Sequence, residues 1–367
     1  MNQTQGNTTK CDYVNVDSYM VLTNSQEIAV AVLCITLGGV CILENLLVLY
    51  LIFASSHLRK KPSYLFISSV ALADLLASVI FAYTFVDFHV FKETGSYSLF
   101  LFKLGAVTTS FTASLGSLLL TAFDRYICIH RPSAYKRIVT QQRALLALVV
   151  LWVITLIVAY LPLMGWNCCT LNSLCSQLFP LIDNNYLSIW ICLVLTLLLA
   201  ITYAYIYVFW KARKHQQDMN SHQVQPGKRQ AKIRMDVMLA KTMVLVLTVL
   251  VTCWSPVLFF MIYGLFTVLN DDVKRVFAFC STLCLLNSMI NPIIYALRSR
   301  NMRHELINRL FCCRKILGIA GGSQEDESFQ TSVVDTVCDN TMQDTNGYAS
   351  SDGIILYSAS NTHNPHT

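Results

Sequence analysis

Charge is what this sequence has least of. Only 13% of its 367 residues are Asp, Glu, Lys or Arg, against 54% hydrophobic, too few charges to cover a soluble globule of this size. A Gly-rich phosphate loop, metal-type Cys/His spacing and a nucleophile elbow are all missing, so no enzymatic chemistry is written here, and no cofactor, resident metal or catalytic residue is expected. No basic region followed by a short apolar run precedes residue 28, so no cleavable signal peptide is expected and the first apolar stretch is expected to do the targeting. No internal repeat of the kind that marks many transporters is visible. The formal net charge of +6 gives no reason to expect nucleic acid, because the basic residues border apolar stretches rather than clustering on one soluble face.

What is present is seven apolar stretches, at 28–53, 64–88, 99–129, 144–164, 186–210, 237–266 and 276–297. Each is long enough for a helix rising 1.5 Å per residue to cross roughly 30 Å of hydrocarbon. The expected fold is therefore all-α: a seven-transmembrane helix bundle over 28–297. Lys and Arg crowd 59–61, 131–143, 211–241 and 298–315, whereas the opposite loops hold little beyond Lys92, Lys274 and Arg275. The positive-inside rule then puts the N-terminus outside and the C-terminus in the cytoplasm.

The flanks follow from that orientation. Residues 1–27 form a polar extracellular leader whose sequons at Asn2 and Asn7 are expected to be glycosylated. The polar stretch 215–234, with Pro226-Gly227, is expected to be a flexible cytoplasmic loop. Over 298–317, Met302, Leu306, Ile307, Leu310 and Phe311 recur at helical spacing among basic residues, which predicts an eighth, amphipathic helix on the inner membrane surface. Cys312 and Cys313 at its end are either palmitoylated or two reduced cytosolic thiols. Residues 318–367 are too polar to offset the entropy of ordering and are expected to be a disordered tail, with Ser323, Ser328, Thr331 and Ser332 as candidate phosphorylation sites.

Several polar residues stand where a membrane should exclude them. Asp74 is mid-span, where a charge costs at least about 2.5 kcal/mol on insertion scales. Asn45, Ser114, Asn287 and Asn291 lie at depths from which they can converge on it. Such a set is either a site for a small hard cation such as sodium or a protonated, structural hydrogen-bond network. Asp124-Arg125-Tyr126 closes the third span, and Asp236 opens the sixth beside the same surface. Arg125 has two acids to choose between, and a pair that forms in one state and breaks in another is a switch. Trp254-Ser255-Pro256 and Asn291-Pro292-Ile293-Ile294-Tyr295 each place a helix-breaking proline inside a span, so a kink is expected at both. Phe81, Phe85, Phe88, Phe111, Phe179, Trp190, Trp254 and Phe277 occupy the outer halves of the spans and one loop. Together they are better explained by an aromatic pocket than by packing alone.

With these residues in place the chain resembles the rhodopsin-like, class A G-protein-coupled receptors from residue 28 to about 315. The likeness is carried by Asn45, Leu72-Ala73-Asp74, Asp124-Arg125-Tyr126, Trp152, Cys253-Trp254-Ser255-Pro256 and Asn291-Pro292-Ile293-Ile294-Tyr295, in the family's order. It departs from the family pattern in having no proline in the fifth span and Ser255 between the tryptophan and the proline. No cysteine stands near the top of the third span, while Cys168, Cys169 and Cys175 lie close together after the fourth. That looks like the internal loop disulfide of cannabinoid and other lipid receptors, joining Cys175 to Cys168 or to its rival Cys169. Segments 57–64, 85–91, 161–166 and 277–280 are similar to cannabinoid receptors in particular. The short leader and Arg59-Lys60-Lys61-Pro62 look more like type 2. His130-Arg131-Pro132, Ala134-Tyr135-Lys136-Arg137 and Gly165-Trp166-Asn167-Cys168 look more like type 1. The type 2 reading, from a distant species, is preferred.

The resemblance implies a ligand site and partners. Val107 stands where amine receptors carry an acid, so no counter-ion awaits a cation. The implied ligand set adds His89, Val257, Met261 and Cys284 to Val107 and the aromatics, with Lys103, Thr108 and Ser281 as polar handles. The implied switch joins Tyr205, Pro292 and Tyr295 to Asp124, Arg125, Tyr126, Asp236, Trp254 and Asn291. The implied ligands are fatty-acid ethanolamides and acylglycerols. The implied partners are an inhibitory G protein that lowers adenylate cyclase activity, arrestin and receptor kinases acting through the tail, and the lipids of the plasma membrane. A lysophospholipid receptor is the near alternative. A transporter or channel, which calls for paired broken helices or a pore-lining charged ring, is the distant one.

Overall fold

The computed structural model describes the backbone of residues 16–92, 96–221 and 228–316, with side chains missing from that description chiefly at 228–243, 295–298 and 310–316. Asn2, Asn7 and the tail after 316 lie outside the described residues, and so do the side chains of Asp236, Tyr295, Cys312 and Cys313.

Local chemistry starts and stops each helix. α1 (Asn24–Ala54) opens where the Thr23 N–H donates to Gln26 Oε1 at 3.0 Å, half of a capping box. α2 (Pro62–Val86) begins on a proline, whose missing N–H costs nothing in a first turn. α3 (Tyr97–His130) and α4 (Gln141–Tyr160) are capped by Ser96 Oγ and Thr140 Oγ1, which accept the N–H groups of Leu99 and Arg143. α5 (Asn184–Ser221), α6 (Lys228–Phe266) and α7 (Asp271–Arg298) complete the set, followed by α8 (Arg300–Ile316). Seven of these helices are long and apolar enough to cross a membrane, and the chain is a multi-pass membrane protein.

Three elements run past their expected ends. α5 and α6 extend into the polar stretch 215–234, leaving only 222–227 between them. Its Gln, Lys, Arg and Met residues are good helix formers. α2 is prolonged by a π-helical turn, Asp87–Phe91, which ends at Lys92 in the left-handed region with φ 57°.

α3 runs through the middle of the bundle and buries residues on all its faces, whereas α4 buries only Ala144, Leu148, Thr155 and Ala159. Small residues let these two helices approach closely: a Cβ on Gly116 would fall 2.3 Å from Leu151 Cδ1, and one on Gly105 would fall 2.9 Å from the Tyr160 ring. Behind them the Trp152 indole N–H donates to Ser69 Oγ at 3.0 Å, and Ser69 meets Ser117 at 2.8 Å, joining α4, α2 and α3. The outside is greasy. Leu43, Val149, Leu199 and Phe259 are each more than half exposed, a patchwork that water would not tolerate and acyl chains would.

Candidate functional site

One half of the bundle holds a partly open cavity lined by side chains from most of its helices. It is walled by α2 to α7 and the loop between α4 and α5. Of the aromatic set, Phe81, Phe111, Phe179, Trp190, Trp254 and Phe277 line it, together with Val107, Thr108, Val257, Met261, Ser281 and Cys284. None of the lining residues carries a charge.

Four expected contacts stand elsewhere. Phe85, Phe88 and His89 are not in the lining. They form a ring ladder above Phe81, with centroid separations of 5.0 Å for Phe81–Phe85, 4.4 Å for Phe85–His89 and 5.0 Å for Phe88–His89. The π-turn rotates Phe88 and His89 off the course a continued α-helix would take. Lys103 is also outside the lining, because its ammonium is paired with the Asp87 carboxylate. The two remaining polar handles face inward but are occupied: Thr108 Oγ1 donates to the Leu104 carbonyl at 2.8 Å and Ser281 Oγ to that of Phe277 at 2.9 Å. Sequence reasoning missed Leu101, Leu104, Gly105, Ala159, Pro162, Ile182, Tyr186 and Leu187 in the wall. Nothing but their depth distinguishes these small and aliphatic residues, and Tyr186 with them, from ordinary helix packing.

The loop over the cavity is held by covalent and polar ties. Cys168 and Cys175 form a disulfide across seven residues, the first of the two pairings the sequence left open. Asp183 is almost fully buried and accepts four bonds: from Trp166 Nε1 and the Asn185 and Tyr186 N–H groups on Oδ1, and from Ser173 Oγ on Oδ2. It thus caps α5 and pins the loop with one side chain. Gln177 Nε2 donates to the carbonyls of Gly264 and Thr267, and its Oε1 accepts the Leu269 N–H, tying the loop to the α6–α7 turn. The Tyr19 hydroxyl donates to the Ser176 carbonyl at 2.8 Å, and burial there raises its pKa above the usual phenol value. These ties hold Phe179 edge-on to Phe277 at 5.6 Å.

At the cavity floor Phe111 meets Trp254 edge-on, centroids 5.7 Å apart. The Trp254 indole N–H is buried and has no acceptor among the described residues, so packing alone holds that ring. Two residues further along, Pro256 lies inside α6 and removes a backbone hydrogen bond.

Below the floor lies Asp74, fully buried. Ser114 Oγ and Ser288 Oγ donate to its Oδ1 at 2.6 and 2.9 Å, and Asn291 Nδ2 to its Oδ2 at 2.8 Å. Asn45 joins one step away, donating to the Ser288 carbonyl at 3.2 Å, and its Oδ1 has no partner among the described residues. Asn287 is buried beside the cluster, and Ser288, which the sequence reading overlooked, supplies the bond instead. The carboxylate, two hydroxyls free to rotate and an unpartnered amide oxygen fit a small hard cation.

At the end of the bundle opposite the cavity Arg125 Nη2 is 3.1 Å from Asp124 Oδ2. Asp124 also accepts from Ser63 Oγ at 3.0 Å and from the Tyr135 hydroxyl at 2.7 Å. Burial first, and then the Asp124 carboxylate, push the Tyr135 phenol far above its ordinary pKa, so it remains a donor throughout the physiological range. Tyr126 turns away from this pair and packs on His130 and Tyr207, while Tyr205 is buried near the guanidinium. Pro292 interrupts α7 one residue after Asn291.

Seven spans, a cavity at one end, a buried acid beneath it and an acid–arginine pair at the other end together have the layout of a seven-helix receptor. The 7 transmembrane receptor (rhodopsin family) model matches residues 44–295. Cannabinoid receptor 1 of Taricha granulosa is 53% identical over 319 residues, covering 83% of this chain and 67% of that protein. Cannabinoid receptor 2 of Mus musculus is 51% identical over 336 residues, 92% of this chain and 96% of that protein, and its Homo sapiens counterpart is 51% identical over 321 residues, 88% and 89%. The chain belongs to the rhodopsin family of seven-transmembrane receptors, in its cannabinoid-receptor branch.

Proposed function

We propose that the protein is a plasma-membrane receptor for endocannabinoid-type lipids, fatty-acid ethanolamides and acylglycerols, which couples to inhibitory G proteins and lowers adenylate cyclase activity. The observation that carries the reading is the uncharged, aromatic-walled cavity. A long acyl chain gains by leaving water for such a space, and a cationic or anionic ligand finds no counter-charge in it. Likeness to receptors named for cannabinoids supports the same ligand class.

The rest of the reading follows from charge and amphipathicity. The N-terminus is extracellular and glycosylated at Asn2 or Asn7. The C-terminus is cytoplasmic, and its tail, 318–367, recruits kinases and arrestin. α8 lies on the inner leaflet with Met302 buried and Ile307 exposed, anchored further by palmitoylation at Cys312 and Cys313. Arg309 fastens it to α1, donating to the Tyr50 hydroxyl at 2.9 Å and the Ala54 carbonyl at 3.2 Å.

The test is nucleotide exchange on a purified inhibitory G protein by receptor in vesicles. N-acyl ethanolamide or acylglycerol should accelerate exchange, and a lysophosphatidate should not. Acceleration by the lysophosphatidate alone would replace this reading with that of a lysophospholipid receptor.

A further inference from the structure

We propose that Asp87 sets headgroup selectivity: it draws Lys103 away from the mouth of the cavity, so that uncharged lipids bind and anionic lipids with the same tail do not. The inference deepens the lipid-receptor reading above and rests on it.

The geometry begins with the π-turn. Asp87 opens that turn at the outer end of α2, where it faces α3 and takes the Lys103 ammonium in an ion pair. Both side chains are largely buried, 15% and 13% exposed, so water screens the pair little. The same ammonium lies 5.3 Å from the centroid of the Tyr83 ring, on the side of α2 away from the lining. Lys103 nonetheless precedes Leu104 and stands one helical turn above Val107, both of which line the cavity. A change of side-chain rotamer is enough to bring it over the mouth.

The other cations described at this end are held as well. Lys92 Nζ is 3.0 Å from Glu27 Oε1, Arg275 is 2.7 Å from Asp272, and Lys274 donates to the Ser18 carbonyl. An anionic headgroup arriving at the rim therefore meets Lys103 already neutralised, with the Asp87 carboxylate beside it. Like charges brought together in a poorly hydrated site repel strongly, and rejection by an unfavourable charge is an economical route to specificity. A hydroxyl headgroup meets no such barrier.

The experiment compares two ligands that differ only at the head: an N-acyl ethanolamide and the N-acyl glycine of the same chain, in which a carboxylate replaces the terminal CH2OH. Each competes with tritiated N-acyl ethanolamide on membranes carrying the full-length receptor. Wild type should prefer the ethanolamide. Asp87→Asn should raise the affinity for N-acyl glycine by about tenfold while changing that for the ethanolamide by less than about threefold. Adding Lys103→Gln should abolish the gain. The proposal is overturned if Asp87→Asn binds the ethanolamide but gains nothing for N-acyl glycine, or if the gain survives Lys103→Gln. Should Asp87→Asn not reach the surface, the reversed pair Asp87→Lys/Lys103→Asp decides: it must keep the preference for the ethanolamide, and equal binding of both lipids overturns the proposal. A wild type that binds neither lipid refutes the receptor reading itself, an outcome distinct from any change in preference.

Discussion

At the scale of single residues, what was legible in the sequence was whatever violates a rule of the membrane. Asp74, Asp124-Arg125 and the prolines at 256 and 292 announce themselves because lipid makes them costly. Asp183 and Gln177 do not, because a polar residue in a loop between spans violates nothing; their importance lies in partners that only the fold brings together. Asp183 illustrates the cost of that blindness. Replacing it by Asn removes one acceptor oxygen and turns a donor toward Trp166 Nε1 or the Ser173 hydroxyl. Leaving a buried donor unmatched costs about 1–3 kcal/mol. Asp183→Asn should therefore lower the thermal midpoint of the purified receptor and weaken ligand binding, since Tyr186, Leu187 and Phe179 hang from the same segment and line the cavity. A midpoint and an affinity equal to wild type would remove Asp183 from its place as loop anchor.

At the scale of elements, hydropathy locates all seven spans but says little about where they stop. α5 and α6 continue as helices beyond the membrane because Gln, Lys and Arg favour helix as much as they favour water. The π-turn after Val86 is invisible to a 3.6-residue period, and with it went the placement of Phe88, His89 and Lys103. The proline inside α6 was better marked, by its place two residues after Trp254. Phe111 bears on Trp254 from α3, about four helical turns above Arg125. A ligand can move α6 only to the extent that it favours one packing of these rings over another. Phe111→Ala removes the ring contact while leaving the indole N–H without an acceptor, so the tryptophan is freer to turn. Basal nucleotide exchange should rise, and some antagonists should become agonists. Unchanged basal exchange with equal losses of agonist and antagonist affinity would reduce the pair to cavity wall.

At the scale of the whole molecule, the cavity and the Arg125–Asp124 pair lie at opposite ends of α3, and the Asp74 cluster sits between them, joining α2, α3 and α7 directly and α1 through Asn45. An agonist that favours an open bundle at the Arg125 end must, by reciprocity, bind more tightly when a G protein holds that end open, by the factor with which the agonist favours the G protein. That factor measures coupling apart from affinity. Asp74→Asn is close to isosteric but removes the negative charge and one acceptor oxygen, so Ser114, Ser288 and Asn291 must re-pair and a cation loses its main ligand. The substitution should leave antagonist affinity within about threefold of wild type, because Asp74 lies below the lining rather than in it. It should bring the tightening of agonist binding by nucleotide-free G protein, typically fivefold or more (about 1 kcal/mol), close to one. The same variant should lose any weakening of agonist binding by sodium. Competition curves with and without G protein, each at low and high sodium, separate the possibilities. Parallel loss of agonist and antagonist binding would make Asp74 a folding residue, and an intact G-protein effect would move the coupling to another part of the bundle.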